Sequence, residues 1–167
     1  YGTAVSEGIV TLYLGLDISP AELGRYLKAP HVNYRDPLVA SDFRRAGSDP
    51  DHFKKVSVGL YSPSLHDPGL APEGKSSLMV QAVAPTHWLD NWGGGDRQKY
   101  RELKEGVKND LIATASAVIP GLGAKIEYAD LATPLTYERY TENTDGATSA
   151  WSWNPDNKFY PNAIGVH

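Results

Sequence analysis

Between Glu7 and Asp17 the chain alternates without a break. Val10, Leu12, Leu14 and Leu16 fall on one side of an extended backbone, and Thr11, Tyr13, Gly15 and Asp17 on the other. Successive side chains of a strand point to opposite faces, so a segment with this parity buries one face and leaves the other to water or a ligand. A strand of this kind requires neighbours with matching parity, and the sequence supplies them. Val56, Val58 and Leu60 alternate with Ser57, Gly59 and Tyr61. Leu78, Val80, Ala82 and Ala84 repeat the pattern from Ser76 until Pro85 ends the segment. His31 to Arg35 reads as a shorter strand, with Val32 and Tyr34 on one face and a stop at Asp36-Pro37.

Helical periodicity dominates only one long stretch. Asp96 is placed to cap a helix in which Tyr100, Leu103, Val107, Leu111, Ala115 and Val118 form a single apolar stripe, closed by Pro120-Gly121. Ser19-Pro20-Ala21-Glu22 combines an N-cap serine, proline at the first helical position and an acid in the first turn, which predicts a short helix to about Leu27. Ala124 to Ala129 predicts a short strand. Thr133-Pro134 then starts a helix that ends near Thr141, and the turn formers Asn143, Asp145 and Gly146 deliver Ala147 to Trp153 as a partly extended aromatic arm. The segments between are expected to be irregular. Leu38 to His52 carries a charged helical turn around Asp42 to Arg45 and a Gly-Ser-Asp-Pro loop, Pro63 to Lys75 is a proline-rich connection, and Thr86 to Gly95 is a loop ending in three glycines. The expected fold is α+β: a mixed, mostly antiparallel sheet with helices packed on one face. The other face is free for a ligand or a further domain.

A chain of 167 residues suits one domain, here residues 1–167, with a real hydrophobic core. Its net charge of −4 argues against a nucleic-acid surface, which needs clustered Lys and Arg. The absence of cysteine excludes disulfides, thiol nucleophiles and Cys-ligated metal. No apolar run approaches the ~18–20 residues of a membrane span, and no signal-peptide pattern opens the chain. The expected location is cytoplasmic, with peripheral membrane contact left open. The chain starts at Tyr1 inside the lead-in to a strand and stops at Ile164-Gly165-Val166-His167, which suggests a fragment of a longer protein.

Several residue sets name a chemistry without supplying its pattern. Gly93-Gly94-Gly95 precedes a helix, but it lacks the spacing and lysine of a phosphate loop, and Asp96 would repel a phosphate. His31, His52, His66, His87 and His167 lie in separate segments without metal-ligand spacing. Ser64, His66 and Asp67 are the residue types of a hydrolytic triad, yet no nucleophile elbow accompanies them. Trp88 and Trp92 either wall an apolar ligand or cover a sheet edge. Trp151 and Trp153 share one side of an extended arm, as a surface for a ring system or for a neighbouring domain.

Three stretches together resemble a known family. LYLGLD at Leu12 to Asp17, SLHDPGLAPEGKSSLMVQAVAP at Ser64 to Pro85, and TPLTYERYTENTDGATSAWSW at Thr133 to Trp153 are similar to the C-terminal half of the phytoene desaturase, carotenoid isomerase and retinol saturase group of FAD-dependent oxidoreductases, relatives of the amine oxidases. The resemblance implies that the chain is the substrate-binding portion of a two-domain flavoprotein. It implies hydride exchange between flavin and a carbon–carbon bond of a hydrophobic, polyene-like substrate. Trp151, Ser152 and Trp153 are then the expected cofactor-binding residues, and Tyr13, Tyr61 and Met79 the expected substrate-binding residues. No catalytic acid or base is nominated. The dinucleotide-binding segments of the family have no counterpart here, so the chain by itself is expected to bind FAD weakly and to be inactive. Its expected partners are a hydrophobic small molecule and the missing FAD-binding domain. A non-catalytic α+β module that binds a hydrophobic ligand or protein is the alternative.

Overall fold

The computed structural model describes residues 5–36 and 45–149. The predicted alternation at the start becomes β1 (Gly8–Leu16), the longest-shared strand of the molecule, with a partner on each side. Around it are β2 (His31–Tyr34), β3 (Val58–Tyr61), β4 (Ser76–Ala84) and β5 (Ile126–Ala132), in the spatial order β2-β3-β4-β1-β5. All four strand pairings are antiparallel. The α+β architecture expected from the alternation is therefore present, and parity works as anticipated. Val10, Leu12, Leu14 and Leu16 on β1, Leu78, Val80, Ala82 and Ala84 on β4, and Val58 and Leu60 on β3 are all buried on the same face. Each such Leu or Val contributes about 1.5–3 kcal/mol by leaving water.

That face is covered by helices. α4 (Arg97–Ser116) lays Val107, Leu111 and Ala115 on the sheet, with Tyr100, Leu103 and Val118 packed at the margin. Asp96 caps it, its carboxylate accepting from the backbone N–H of Gln98 (2.7 Å) and of Lys99 (3.1 Å). Those two backbone hydrogen bonds stabilise the charged form and hold the Asp96 carboxyl below its ordinary range. α1 is a single turn (Pro20–Leu23), capped by Ser19, whose hydroxyl accepts from Glu22 N–H. It ends earlier than its pattern predicts because Gly24 follows, and Leu27 reaches the core from a succeeding turn instead.

Three differences from the sequence expectation concern short elements. α2 (His52–Lys55) is a helical turn that begins at the last residue of the stretch expected to be irregular and fills the unassigned residues before β3. It is held from outside: the His52 imidazole donates to the Val83 carbonyl (3.1 Å), and Phe53 is fully buried. The strand expected at 124–129 lies at Ile126–Ala132, since Leu122 to Lys125 form a 3₁₀ turn. The third difference is the segment α3 (Trp88–Gly94), expected as a loop. It is a left-handed helical turn, with φ of 44°, 59°, 53° and 60° at Leu89, Asp90, Asn91 and Trp92. Left-handed backbone costs roughly 1–2 kcal/mol per L-residue, so packing must offset it. The packing is visible: Trp88, Trp92 and Phe53 form one buried aromatic cluster, with ring centroids 4.9 Å apart for the indole pair and 5.0 Å for Trp88 on Phe53. Trp88 Nε1 also donates to the Asp49 carbonyl (2.9 Å).

α5 (Pro134–Thr141) follows β5 directly and stands at the end of β1 and β5. The Thr133 N–H donates to the Thr136 hydroxyl (3.1 Å), and Tyr100 Oη lies 2.9 Å from Thr133 Oγ1, which ties the start of the helix to α4. Glu142 in left-handed conformation ends it, and a 3₁₀ turn at Thr144–Gly146 returns the chain to the sheet. Gly146 is obligatory there: its φ is +63°, and a Cβ would lie 2.0 Å from the Pro134 carbonyl oxygen. Ala147 then bridges Gly8, Thr148 N–H donates to the Glu7 carbonyl (3.1 Å), and Ser149 N–H donates to Ser6 Oγ (2.8 Å).

Candidate functional site on the open sheet face

The face of the sheet turned away from α2, α3 and α4 carries the side chains of opposite parity. Register, more than sequence, decides which of them meet. Tyr61 pairs with Met79, Met79 with Tyr13, and Tyr13 with Asp130, while His31 pairs with Tyr61 at the far edge. The result is one transverse row, His31, Tyr61, Met79, Tyr13 and Asp130, with one residue from each of the five strands. Four inter-strand steps make it about 19 Å long. The three residues expected to bind substrate, Tyr13, Tyr61 and Met79, are the consecutive middle of this row. Tyr61 and Met79 are half-buried and Tyr13 is 40% exposed. The His31 and Tyr61 rings meet edge to face, 6.2 Å between centroids.

Glycines keep the surface shallow on either side of the row. A Cβ on Gly59 would lie 3.2 Å from His31 Nε2, and one on Gly15 would lie 3.3 Å from Tyr128 Cβ. Tyr128, 61% exposed, extends the aromatic surface toward the β5 edge. Aromatic rings and a thioether are the side chains that hold flat apolar ligands, because they offer large, polarizable area with little entropy to lose.

One register step along, the face turns polar. Thr11 is fully buried and sits directly opposite Gln81. Its hydroxyl oxygen accepts from Gln81 Nε2 (3.2 Å) and from the Tyr137 hydroxyl (2.7 Å), which reaches over from α5. Burial pushes the Tyr137 phenol up to about 12, and the neighbouring Tyr13 acts in the same direction against the Thr11 hydrogen bond. Tyr137 is therefore a neutral hydrogen-bonding group at physiological pH. None of Thr11, Gln81 and Tyr137 is suggested as a site residue by the sequence reading. Thr11 and Gln81 share parity with Tyr13 and Met79, a signal that was present, whereas nothing in the α5 sequence tells that Tyr137 overhangs β1.

Other sequence candidates separate clearly. Trp88 and Trp92 are 3% and 1% exposed and pack in the core against Phe53, so they are not available as a ligand wall. Ser64 is buried in a structural cluster, accepting from Ser77 N–H (3.1 Å) with Ser62 Oγ 3.2 Å away, while His66 is exposed. Among the described residues no group of His, Asp and Glu is arranged to hold a metal ion. No described helix is long and apolar enough to cross a membrane. A cleft of about 400 Å³ between α2 and α4 is lined by Lys54, Lys55, Asp110 and Thr114, a charged setting unlike the open face. Trp151, Ser152 and Trp153, expected to bind cofactor, lie outside the described residues.

The glycine turn before α4 does not fit the pyrophosphate of a dinucleotide. The glycines before α4 are flanked by two carboxylates, Asp96 at the helix cap and Asp90, whose Oδ2 lies 2.7 Å from where a Cβ on Gly94 would stand. Two negative charges at this helix start oppose a phosphate.

No family model matches the chain. It is 30% identical over 143 residues to the all-trans-retinol 13,14-reductase of Danio rerio, an alignment covering 78% of this chain and 23% of that protein. It is 29% identical over 133 residues to the chloroplastic prolycopene isomerase of Daucus carota, covering 72% and 21%. With the phytoene dehydrogenase of Streptomyces griseus it shares 30% identity over 136 residues, covering 79% and 24%. The chain thus spans about a quarter of the length of the curated relatives it matches. The three stretches quoted from the sequence and these relatives lead to one conclusion: the chain belongs to the phytoene desaturase, carotenoid isomerase and retinol saturase family.

Proposed function

We propose that this chain is the substrate-binding portion of an FAD-dependent oxidoreductase acting on carbon–carbon bonds of a hydrophobic, polyene-like molecule. The observation that carries the proposal is the row Tyr61, Met79, Tyr13 on the face of the sheet opposite the aliphatic core, a face that α5 overhangs at Thr11. A surface with this content is suited to one wall of an apolar ligand chamber, and docking of a flavin domain over it would exclude water. The flavin supplies the redox chemistry; the residues of this chain bind and orient the substrate and keep its surroundings dry. Neutral Tyr137 and Thr11 hold hydrogen bonds without offering a charge to the ligand. The reading also assigns FAD's pyrophosphate to a part of the parent protein other than the described residues, consistent with the acidic helix start at α4. Peripheral contact with a membrane would bring such a substrate to the site.

The reading is tested in the parent protein by placing a charge at the centre of the row. Met79→Lys is expected to lower affinity for the polyene substrate at least tenfold while the flavin absorption band is retained. Unchanged substrate affinity with flavin retained would sink the proposal. The alternative, a non-catalytic module that binds a hydrophobic ligand, predicts the same loss of binding but a parent protein with no bound flavin.

A further inference from the structure

Sulfur is scarce in this chain. It has a single methionine and no cysteine, so reversible sulfur oxidation can occur at one side chain alone, that of Met79. Its placement is specific. Among the described residues the buried hydrophobic positions are held by Leu, Val, Ile, Ala, Phe and Trp, and the thioether stands instead in the middle of the open face. Tyr61 and Tyr13 lie directly opposite it on the two neighbouring strands. Met79 is half-buried, so it is not sealed in the core, where a peroxide would have to wait for unfolding. Parity adds a second feature. Its neighbours along β4, Leu78 and Val80, are 1% and 0% exposed and belong to the covered face. A chemical change at Met79 therefore alters one face of the sheet and leaves the hydrophobic core behind it in place.

We propose that Met79 is a peroxide-sensitive modification site that switches the apolar character of the open face. One peroxide oxygen passes to the thioether: an S–O bond forms as the O–O bond breaks, the sulfur gives up two electrons, and the other oxygen leaves as water. The product sulfoxide puts a polar oxygen at the midpoint of the Tyr61, Met79, Tyr13 row. A flat apolar ligand lying over it strips the water from that oxygen and offers no donor in return, so binding weakens. Sulfoxide reductases return the thioether, which makes the change reversible. The inference rests on the open face being the ligand wall, whereas the reactivity of the sulfur is measured independently of any ligand.

The test applies hydrogen peroxide to the folded 167-residue chain, with Nile red as a flat, neutral, apolar probe. Mass spectrometry is expected to find one added oxygen on the peptide that carries Met79, at peroxide levels that leave the urea unfolding midpoint unchanged. Nile red, followed by its fluorescence, is expected to bind the oxidised chain about tenfold more weakly. Treatment with the two methionine sulfoxide reductases, one for each sulfoxide epimer, is expected to restore the native affinity. Met79→Leu, whatever its own affinity, is expected to give the same value before and after peroxide. A folded chain that takes up no oxygen at Met79, or an oxidised chain that binds Nile red as tightly as the native one, would overturn the inference and leave the wall standing. So would a loss of binding that the reductases do not reverse, or that appears equally in Met79→Leu. A collapse of the unfolding midpoint on oxidation would overturn it as well, since the change would then be damage to the fold. Absence of Nile red binding by the native chain would overturn the wall and the inference together.

Discussion

The two faces of the sheet share every strand and differ in almost every other respect. On the covered face the side chains are aliphatic, fully buried, and interchangeable in chemistry: Leu12, Leu60 and Val80 differ only in shape. On the open face no two neighbours are alike. A tyrosine, a methionine, a second tyrosine, a threonine and a glutamine stand within two register steps, ranging from the fully buried Thr11 through the half-buried Tyr61, Met79 and Gln81 to the exposed Tyr13. The covered face is what a stable domain requires. The open face is more varied than solubility requires, which is what the proposed role in binding a particular molecule would ask of it. Half-burial is the sharper criterion, because a solvated face would be charged and a packed one aliphatic.

The contrast breaks most easily through paired truncations. Leu12→Ala is expected to cost about 2–5 kcal/mol in urea unfolding, since it removes a fully buried side chain at the centre of the core. Tyr13→Ala, its immediate neighbour on the opposite face, is expected to cost about 1 kcal/mol or less. Equal costs would mean that the open face is packed in solution. A comparable effect is expected of Tyr137→Phe, about 1 kcal/mol near neutral pH from loss of the hydrogen bond to Thr11. Its diagnostic is the alkaline limb. Burial raises the folded-state pKa of Tyr137 to about 12, so its contribution is fully present below pH ~10 and is lost as pH climbs from ~10 through ~12. Native protein should lose more stability than the phenylalanine variant across that window, and parallel pH profiles would refute the buried placement of the phenol. The smallest expected effect lies beneath the covered face. Asn91→Ala, at an exposed position, is expected to destabilise by about 0.5–1 kcal/mol because alanine tolerates left-handed backbone less well. No change in melting temperature would indicate that the Trp88 to Gly94 turn is not left-handed in solution.

The same contrast explains what was legible in the sequence. The covered face could be read because burial acts on parity: Val10 to Leu16 and Leu78 to Ala84 announce both their strands and their inner sides. The stripe from Tyr100 to Val118 announces α4 for the same reason. Short elements escaped, since α2 at His52–Lys55 spans a single turn and is held by the distant Val83 carbonyl, which no local pattern encodes. The left-handed turn escaped because its handedness depends on Trp88 and Trp92 closing over Phe53. On the open face, parity offered Tyr13, Tyr61 and Met79 as individuals. That they form one row follows from strand order and register, properties of the whole sheet, and the reach of Tyr137 to Thr11 spans 126 residues of chain.

One further pairing joins segments far apart in the sequence. Residues 6 to 8 and 147 to 149 run antiparallel, joined by the Gly8 to Ala147 bridge and by hydrogen bonds from Thr148 to Glu7 and from Ser149 to Ser6. Each segment closes the open edge of the other, so fraying of either one would expose the backbone groups of its partner.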